Sequence, residues 1–251
     1  MSGSRGSGRP CQTPAQVLNT VRRECCWYAQ SREELGEPLD FLAQQVALIV
    51  NLTVQTPAPP VVLGKDVPRP QDEPAIISFG VGAEPLLRSC LETVLVHPSW
   101  QALLKDRDEK ATVASLASVP LYLRAVQELG PLDLSLWDSG RCPWCGAKSA
   151  YARLSGQDPQ RRILFCNRCW GEWDYPRIAC VHCENRDPER LGYFYGEEDR
   201  PHRVYTCEGC MGYLKVTDER AAGRRVSPLV EDYVTGYLDE EARVRGYSQP
   251  F

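Results

Sequence analysis

Eight cysteines between residues 142 and 210 stand in four Cys-x-x-Cys pairs: Cys142 with Cys145, Cys166 with Cys169, Cys180 with Cys183, and Cys207 with Cys210. Two intervening residues let both sulfurs of a tight turn face one ion. Two such turns supply a tetrahedral four-sulfur site, with metal–sulfur distances of about 2.3 Å for zinc. Loops of 20, 10 and 23 residues separate successive pairs. Hairpins of ordinary length then close pair one with pair two and pair three with pair four. Spacing alone leaves the cross-braced alternative open, one with three and two with four. A disulfide framework fits poorly, because Met1 to Pro10 has no apolar stretch of the kind a secretory signal carries. A thioredoxin-like motif is normally single and sits beside a βαβ pattern, which is missing here. Four sulfurs fill an ion's shell, whereas catalytic metal sites keep one position open, so hydrolysis at these sites is not expected. Cys11, Cys25, Cys26 and Cys90 have no ligand spacing and read as ordinary thiols.

Elements that position the turns follow from the residues between them. Ala150–Leu154 and Arg162–Phe165 read as strands around a turn at Gly156 to Pro159, and Leu191–Tyr195 and Arg203–Thr206 repeat the plan. The region therefore reads twice as cysteine turn, hairpin, cysteine turn, the layout of a zinc ribbon or rubredoxin-like module held together largely by metal. Such small modules have little core, so residues 141 to 215 are expected to unfold on metal removal while the helices before them survive. His182, inside a turn already served by sulfur, is expected to point away. Trp170, Trp173 and Tyr175 are expected to pack the module against its neighbours.

Ahead of the cysteines the periodicity is helical. Val17, Leu18 and Val21 mark one helix, and Leu39, Leu42, Val46, Ile49 and Val50 a second. Leu86, Leu87, Leu91, Val94 and Leu95 mark a third, stopping near His97-Pro98. His97 reads as a helix-end residue. Asp106 to Leu129 holds one or two more helices divided near Pro120, and the stretch from Asn51 to Pro74 reads as a long connection. After the cysteines, Ser227-Pro228 starts a helix with Val230, Tyr233, Val234, Tyr237 and Leu238 on one face and Glu231 and Asp232 near its positive end. The fold class expected is α plus small β. An irregular helical domain at 13–140 follows a disordered tail at 1–12. Two tandem rubredoxin-like or zinc-ribbon modules come next, at 141–175 and 176–220, and a C-terminal amphipathic helix at 226–246 completes the chain.

Composition narrows the function. The chain has 251 residues, 43% apolar and 25% charged, and no apolar run near the roughly 18 residues of a membrane span. No membrane insertion is expected, and the cytoplasm is the default location. The net charge is −4, and from Arg141 to Arg225 there are 15 Lys and Arg against 12 Asp and Glu. Two divalent four-sulfur sites at −2 each bring that stretch to about −1, too little positive charge for a nucleic-acid-binding ribbon. The basic pairs Arg161-Arg162 and Arg224-Arg225 read as solvated surface. No phosphate loop, activated nucleophile or coherent carboxylate pair is present, so the chain does not read as an enzyme.

The words around the cysteines resemble the formate dehydrogenase accessory protein (FdhE) family. They are Cys142-Pro-x-Cys145-Gly146, then Cys166-x-x-Cys169 leading to Glu172-Trp173, then Arg177-x-x-Cys180-x-x-Cys183. Cys207-x-x-Cys210 with Gly212-Tyr213-Leu214-Lys215 and the closing Gly246-Tyr247-x-x-Pro250-Phe251 complete them. The resemblance implies a cytoplasmic assembly factor, not an enzyme, whose partner is the catalytic subunit of a respiratory formate dehydrogenase. It also implies metal, iron above zinc, at Cys142, Cys145, Cys166, Cys169, Cys180, Cys183, Cys207 and Cys210. Client contact is expected at the hairpin tips, 156–160 and 196–201, beside an exposed side of Trp170. The rival readings are an electron-transfer protein with two rubredoxin-type irons and, more weakly, a nucleic-acid-binding zinc ribbon. Oligomeric state is not legible in the sequence.

Overall fold

The computed structural model describes residues 12–59, 61–63, 77–79, 83–96, 107–130, 132–149, 151–158, 160–196 and 199–249. Cys11, His97 and all of the expected tail but Gln12 lie outside the described residues. Thr13 caps α1 (Pro14–Ser31) through reciprocal bonds with Gln16, and Pro14 sits in the first turn, where its missing N–H costs nothing. α2 (Gly36–Gln55) packs against it, with Val17, Val21, Cys25 and Tyr28 meeting Leu39, Val46, Ile49 and Val50. Between α2 and α3, β1 (Val61–Leu63) and β2 (Ile77–Phe79) form a two-stranded ladder where only a connection is expected. α3 (Ala83–Val96) stops just before His97-Pro98, because a residue preceding proline avoids the helical region. Its buried side is Ala83, Cys90 and Val94, while Leu87 is exposed.

α4 (Arg107–Leu129) runs unbroken through Pro120. Proline there removes a helix hydrogen bond, typically at a cost of about 3 kcal/mol. Buried Val119, Leu121, Leu123, Ala125 and Val126 pack the segment against its neighbours. Among the described residues no helix is long and apolar enough to cross a membrane.

The cysteine half forms one sheet. β3 (Tyr151–Leu154), β4 (Arg162–Phe165), β5 (Glu172–Tyr175), β6 (Leu191–Phe194), β7 (His202–Cys207) and β8 (Gly212–Asp218) stand in the order β5-β4-β3-β8-β7-β6. β5 and β8, absent from the sequence expectation, carry the aromatic and β-branched residues that favour strands. All pairings are antiparallel except β3 with β8, which is parallel. First and third strands of an antiparallel ribbon run the same way, so this parallel seam makes the second ribbon a translated copy of the first. Both cysteine ends therefore lie at one end of the sheet and both hairpin tips at the other. The two modules share a continuous sheet.

One face of that sheet carries Tyr151, Phe165, Val204 and Tyr213 under the helices. α5 (Glu219–Ala222), α6 (Pro228–Val234) and α7 (Gly236–Val244) follow β8. The expected single C-terminal helix is divided at Thr235, whose hydroxyl bonds back to the Glu231 carbonyl at 2.6 Å, with Gly236 next. Val230, Val234 and Leu238 are buried, but Tyr233 and Tyr237 are exposed. Ser227 occupies the cap position without a side-chain cap bond; its N–H donates to Glu24 Oε2 at 2.9 Å.

Glu231 lies in the first turn of α6, as expected, and it also takes partners from remote parts of the chain. It is buried completely, and accepts from His202 Nε2 at 2.5 Å, Arg224 Nη2 at 2.6 Å and the Tyr28 hydroxyl at 3.0 Å. The basic pairs also split. Arg162 is buried and donates to the carbonyls of Pro176 and Ala179, and Arg224 is committed to Glu231 and Glu24, so only Arg161 and Arg225 are surface cations.

Burial alone would lower the His202 pKa, but Asp199 and Glu231 outweigh it and push it up to about 9. A raised histidine contributes stability in full below its unfolded value of about 6.5. That contribution is lost as pH rises through about 9. Urea unfolding should show the midpoint falling across this window, and His202→Gln should flatten that part of the profile. An unchanged slope in the variant would remove His202 as its source.

Candidate metal centres

Three of the four Cys-x-x-Cys turns are closed by the same two backbone bonds, and the fourth by its strand pairing. The N–H groups of Cys142, Cys166 and Cys180 donate to the carbonyls of Ala147, Gly171 and Asn185 at 2.8, 3.0 and 2.8 Å, and Cys207 pairs with Gly212 in the β7–β8 register. The N–H groups of Gly146, Trp170 and Glu184 return to Cys142, Cys166 and Cys180 at 2.9, 2.8 and 3.0 Å. The residue after each second cysteine is left-handed, with φ of 69° at Gly146, 55° at Trp170, 60° at Glu184 and 55° at Met211. Only Gly146 stands out in the sequence as suited to that conformation. The other three adopt it at about 1–2 kcal/mol each.

These turns converge sequentially, one with two and three with four. The sulfurs of Cys142 and Cys169 are 3.4 Å apart, as are those of Cys145 and Cys166. Cys180 to Cys210 and Cys183 to Cys207 are 3.7 Å each, and within each quartet all sulfurs lie within 4.8 Å. A tetrahedron with metal–sulfur bonds of about 2.3 Å has edges of about 3.8 Å, so both quartets could hold an ion of zinc or iron size.

The surroundings of the quartets differ. All four sulfur ligands of the first are buried, and a Cβ at Gly171 would come 2.6 Å from the Trp144 ring that covers them. This quartet belongs to a core that includes Ala125 and Val126 of α4 with Leu134 and Trp137. The first ribbon is thus not a module short of core, as the sequence suggested; it shares one with the helical half. Trp173 donates its Nε1 hydrogen to the Ser139 carbonyl at 3.0 Å, the Tyr175 hydroxyl donates to the Cys180 carbonyl at 3.1 Å, and Trp170 packs among Phe165, Val230 and Val234. All three aromatics pack, as expected.

In the second quartet Cys183 and Cys210 are exposed. His182 turns from the sulfurs to the Tyr213 carbonyl, with Nε2 at 2.8 Å, while its N–H donates to Cys180 Sγ at 3.4 Å and Asn185 Nδ2 approaches Cys207 Sγ at 3.8 Å. Donors to sulfur stabilise thiolate charge and tune any bound ion. Elsewhere, burial pushes the Cys25 thiol up to about 11, with Glu24 and Asp40 adding to it, and burial likewise raises Cys90. Such thiols are inert, in keeping with their reading from sequence.

Cys142→Ala should lower bound metal by about half, since three thiolates hold an ion far less well than four. Cys180→Ala should remove the other half, and metal analysis of the double variant should find almost none. Met211→Gly should raise stability in urea unfolding by about 1 kcal/mol of relieved backbone strain, because this side chain is exposed and its φ is positive. A drop would show that the methionine side chain supports the turn.

No protein-family model matches the chain. An FdhE homolog of Aquifex aeolicus is 33% identical over 113 residues, 44% of this chain and 40% of that protein. An FdhE homolog of Pseudomonas aeruginosa is 34% identical over 114 residues, 42% of this chain and 36% of that protein. The matched segment thus spans only about two fifths of these relatives. The crystal structure of the FdhE protein from Pseudomonas aeruginosa aligns at a TM-score of 0.70 with 18% identity, covering 98% of this chain and 96% of that one, a likeness of fold. This chain is thus similar to the FdhE homologs in sequence over about two fifths of its length, and to the FdhE protein of Pseudomonas aeruginosa in fold over nearly all of it.

Proposed function

We propose that this chain is a non-catalytic accessory protein that binds the catalytic subunit of a respiratory formate dehydrogenase in the cytoplasm while that subunit matures. The observation that carries the reading is the joint presence of an FdhE-like fold and two closed four-cysteine clusters. Cys142, Cys145, Cys166 and Cys169 hold one ion and Cys180, Cys183, Cys207 and Cys210 the other. The resemblance favours iron over zinc. Either ion supplies a fixed four-sulfur cross-link, and iron adds a one-electron couple. The chain's own part is to shape each turn, donate hydrogen bonds to sulfur and present a surface to the client.

That surface lies on the cysteine half, but its anchor is not Trp170, which is only 3% exposed and belongs to the core. A second reading, electron transfer, is supported by the exposure of Cys183 and Cys210, since solvent-near sulfur sites exchange electrons readily with a docked partner. Nucleic acid remains disfavoured by charge.

An anaerobic pull-down with metal analysis of the same sample tests both readings. The catalytic subunit should be retained by the wild type and by Cys26→Ser, and lost when Cys142 and Cys145 are both replaced by serine. A strain lacking the protein should accumulate inactive formate dehydrogenase; full respiratory formate oxidation in that strain, with no paralogue, would end the accessory reading. Colourless, redox-silent zinc protein that still binds the subunit would end the electron-transfer reading.

A further inference from the structure

The sheet has two outer strands, and one of them is unguarded. β6 forms the edge beyond β7, and Leu191-Gly-Tyr-Phe194 contains no charge and no proline, the usual protections of an exposed edge. Its register fixes which backbone groups face outward. The Glu208 N–H donates to the Arg190 carbonyl at 2.9 Å, which makes these two a hydrogen-bonded pair. Antiparallel alternation then turns Gly192 and Phe194 inward to β7 and points the N–H and C=O of Leu191 and Tyr193 away from it; the Leu191 N–H returns to the Pro188 carbonyl, which leaves the Leu191 carbonyl and both Tyr193 groups facing outward.

Side chains complete the surface. Tyr193 is 57% exposed and Tyr195 50%, and their rings stack with centroids 6.3 Å apart; Tyr193 also stacks on Tyr205 at 5.7 Å. Arg203 lies over the Tyr193 ring at 5.9 Å. Exposed apolar residues scattered singly need no explanation, but three stacked tyrosines beside free backbone groups make a contiguous platform. The β6 end nearest the second quartet adjoins the exposed Cys183 and Cys210.

We propose that the β6 edge receives an extended segment of a partner polypeptide as a seventh strand, with apolar side chains at alternate positions lying across Tyr193, Tyr195 and Tyr205. This rests on the reading above of a client-binding protein and names the client's local chemistry. Main-chain bonds to the Leu191 carbonyl and to both backbone groups of Tyr193 give affinity, and the tyrosine platform selects alternate residues. A second copy of this chain is the weaker occupant. Four residues of edge span about 13 Å. Two copies joined along that edge bury well under the roughly 1,200 Å² of a stable interface.

The test uses the full chain, wild type and Tyr193→Lys/Tyr195→Lys, both positions being exposed, with helix content and metal content checked to be equal. Overlapping synthetic peptides tiling the formate dehydrogenase catalytic subunit are screened for binding, and whole-subunit capture is measured in parallel. Peptides with alternating apolar residues should bind the wild type and lose about tenfold or more in affinity on the double variant. The inference is overturned by capture of no peptide, by equal capture on the variant, or by a wild-type dimer that the variant abolishes. Whole-subunit capture without any peptide capture overturns the edge while leaving the accessory function standing. Variant-sensitive peptide capture without whole-subunit capture does the reverse.

Discussion

A carboxylate with no access to solvent is tolerable only among fixed partners, and Glu231 is such a group. Its partners come from different parts of the chain. Tyr28 belongs to α1, Arg224 to the connection before α6, His202 to β7, and Thr217 of β8 approaches at 3.5 Å. Burial would raise the Glu231 pKa, but His202 and Arg224 together hold it below the usual carboxylate range. One charge thereby fixes the first helix, the last helices and the second ribbon relative to one another. Nearby, buried Lys215 donates to Asp239 Oδ2 at 2.7 Å and to the Asp232 carbonyl at 2.8 Å, pinning the C-terminal helices by a cation as well.

Packing likewise runs across the boundaries between the helical half and the two ribbons. Phe165 and Trp170 of the first ribbon lie in the core formed by α1 and α2, and the first sulfur quartet lies in a core reached by α4. Arg153 adds a buried link, donating to both Glu172 and Glu219. Near-identical turns thus occupy unlike settings, one sealed by Trp144 and Gly171 and the other opening at Cys183 and Cys210.

The cysteine turns and the two hairpins were legible because Cys-x-x-Cys spacing is a local property with strong geometric consequences; sequential closure was only favoured by loop length, since which turns meet is decided by the sheet. The helix end before Pro98 was legible for the same reason: proline restricts the backbone whatever surrounds it. The continuity of α4 through Pro120 was not, because tertiary packing of Val119 and Leu121 decides it. Nor could local pattern show that Arg162 and Glu231 are buried, since charge on a sequence reads as surface until its partners, remote in the chain, are known. The left-handed residues at Trp170, Glu184 and Met211 were equally hidden. Their side chains oppose that conformation, and only the closure of the turn demands it.

The strand order has a further consequence. β5 and β6 are consecutive in the chain yet lie on opposite edges of the sheet, so residues 176–190 must cross its width, about 24 Å for six strands. Arg162 fastens this strap through the carbonyls of Pro176 and Ala179, and the strap carries Cys180 and Cys183 with it. The strap's Ala179 and Val181 are buried in the same core as Cys142, Cys145, Cys166 and Cys169, so the segment that carries the first pair of the second quartet is also part of the cover of the first quartet, and a disturbance of either site reaches the other along this short run of chain.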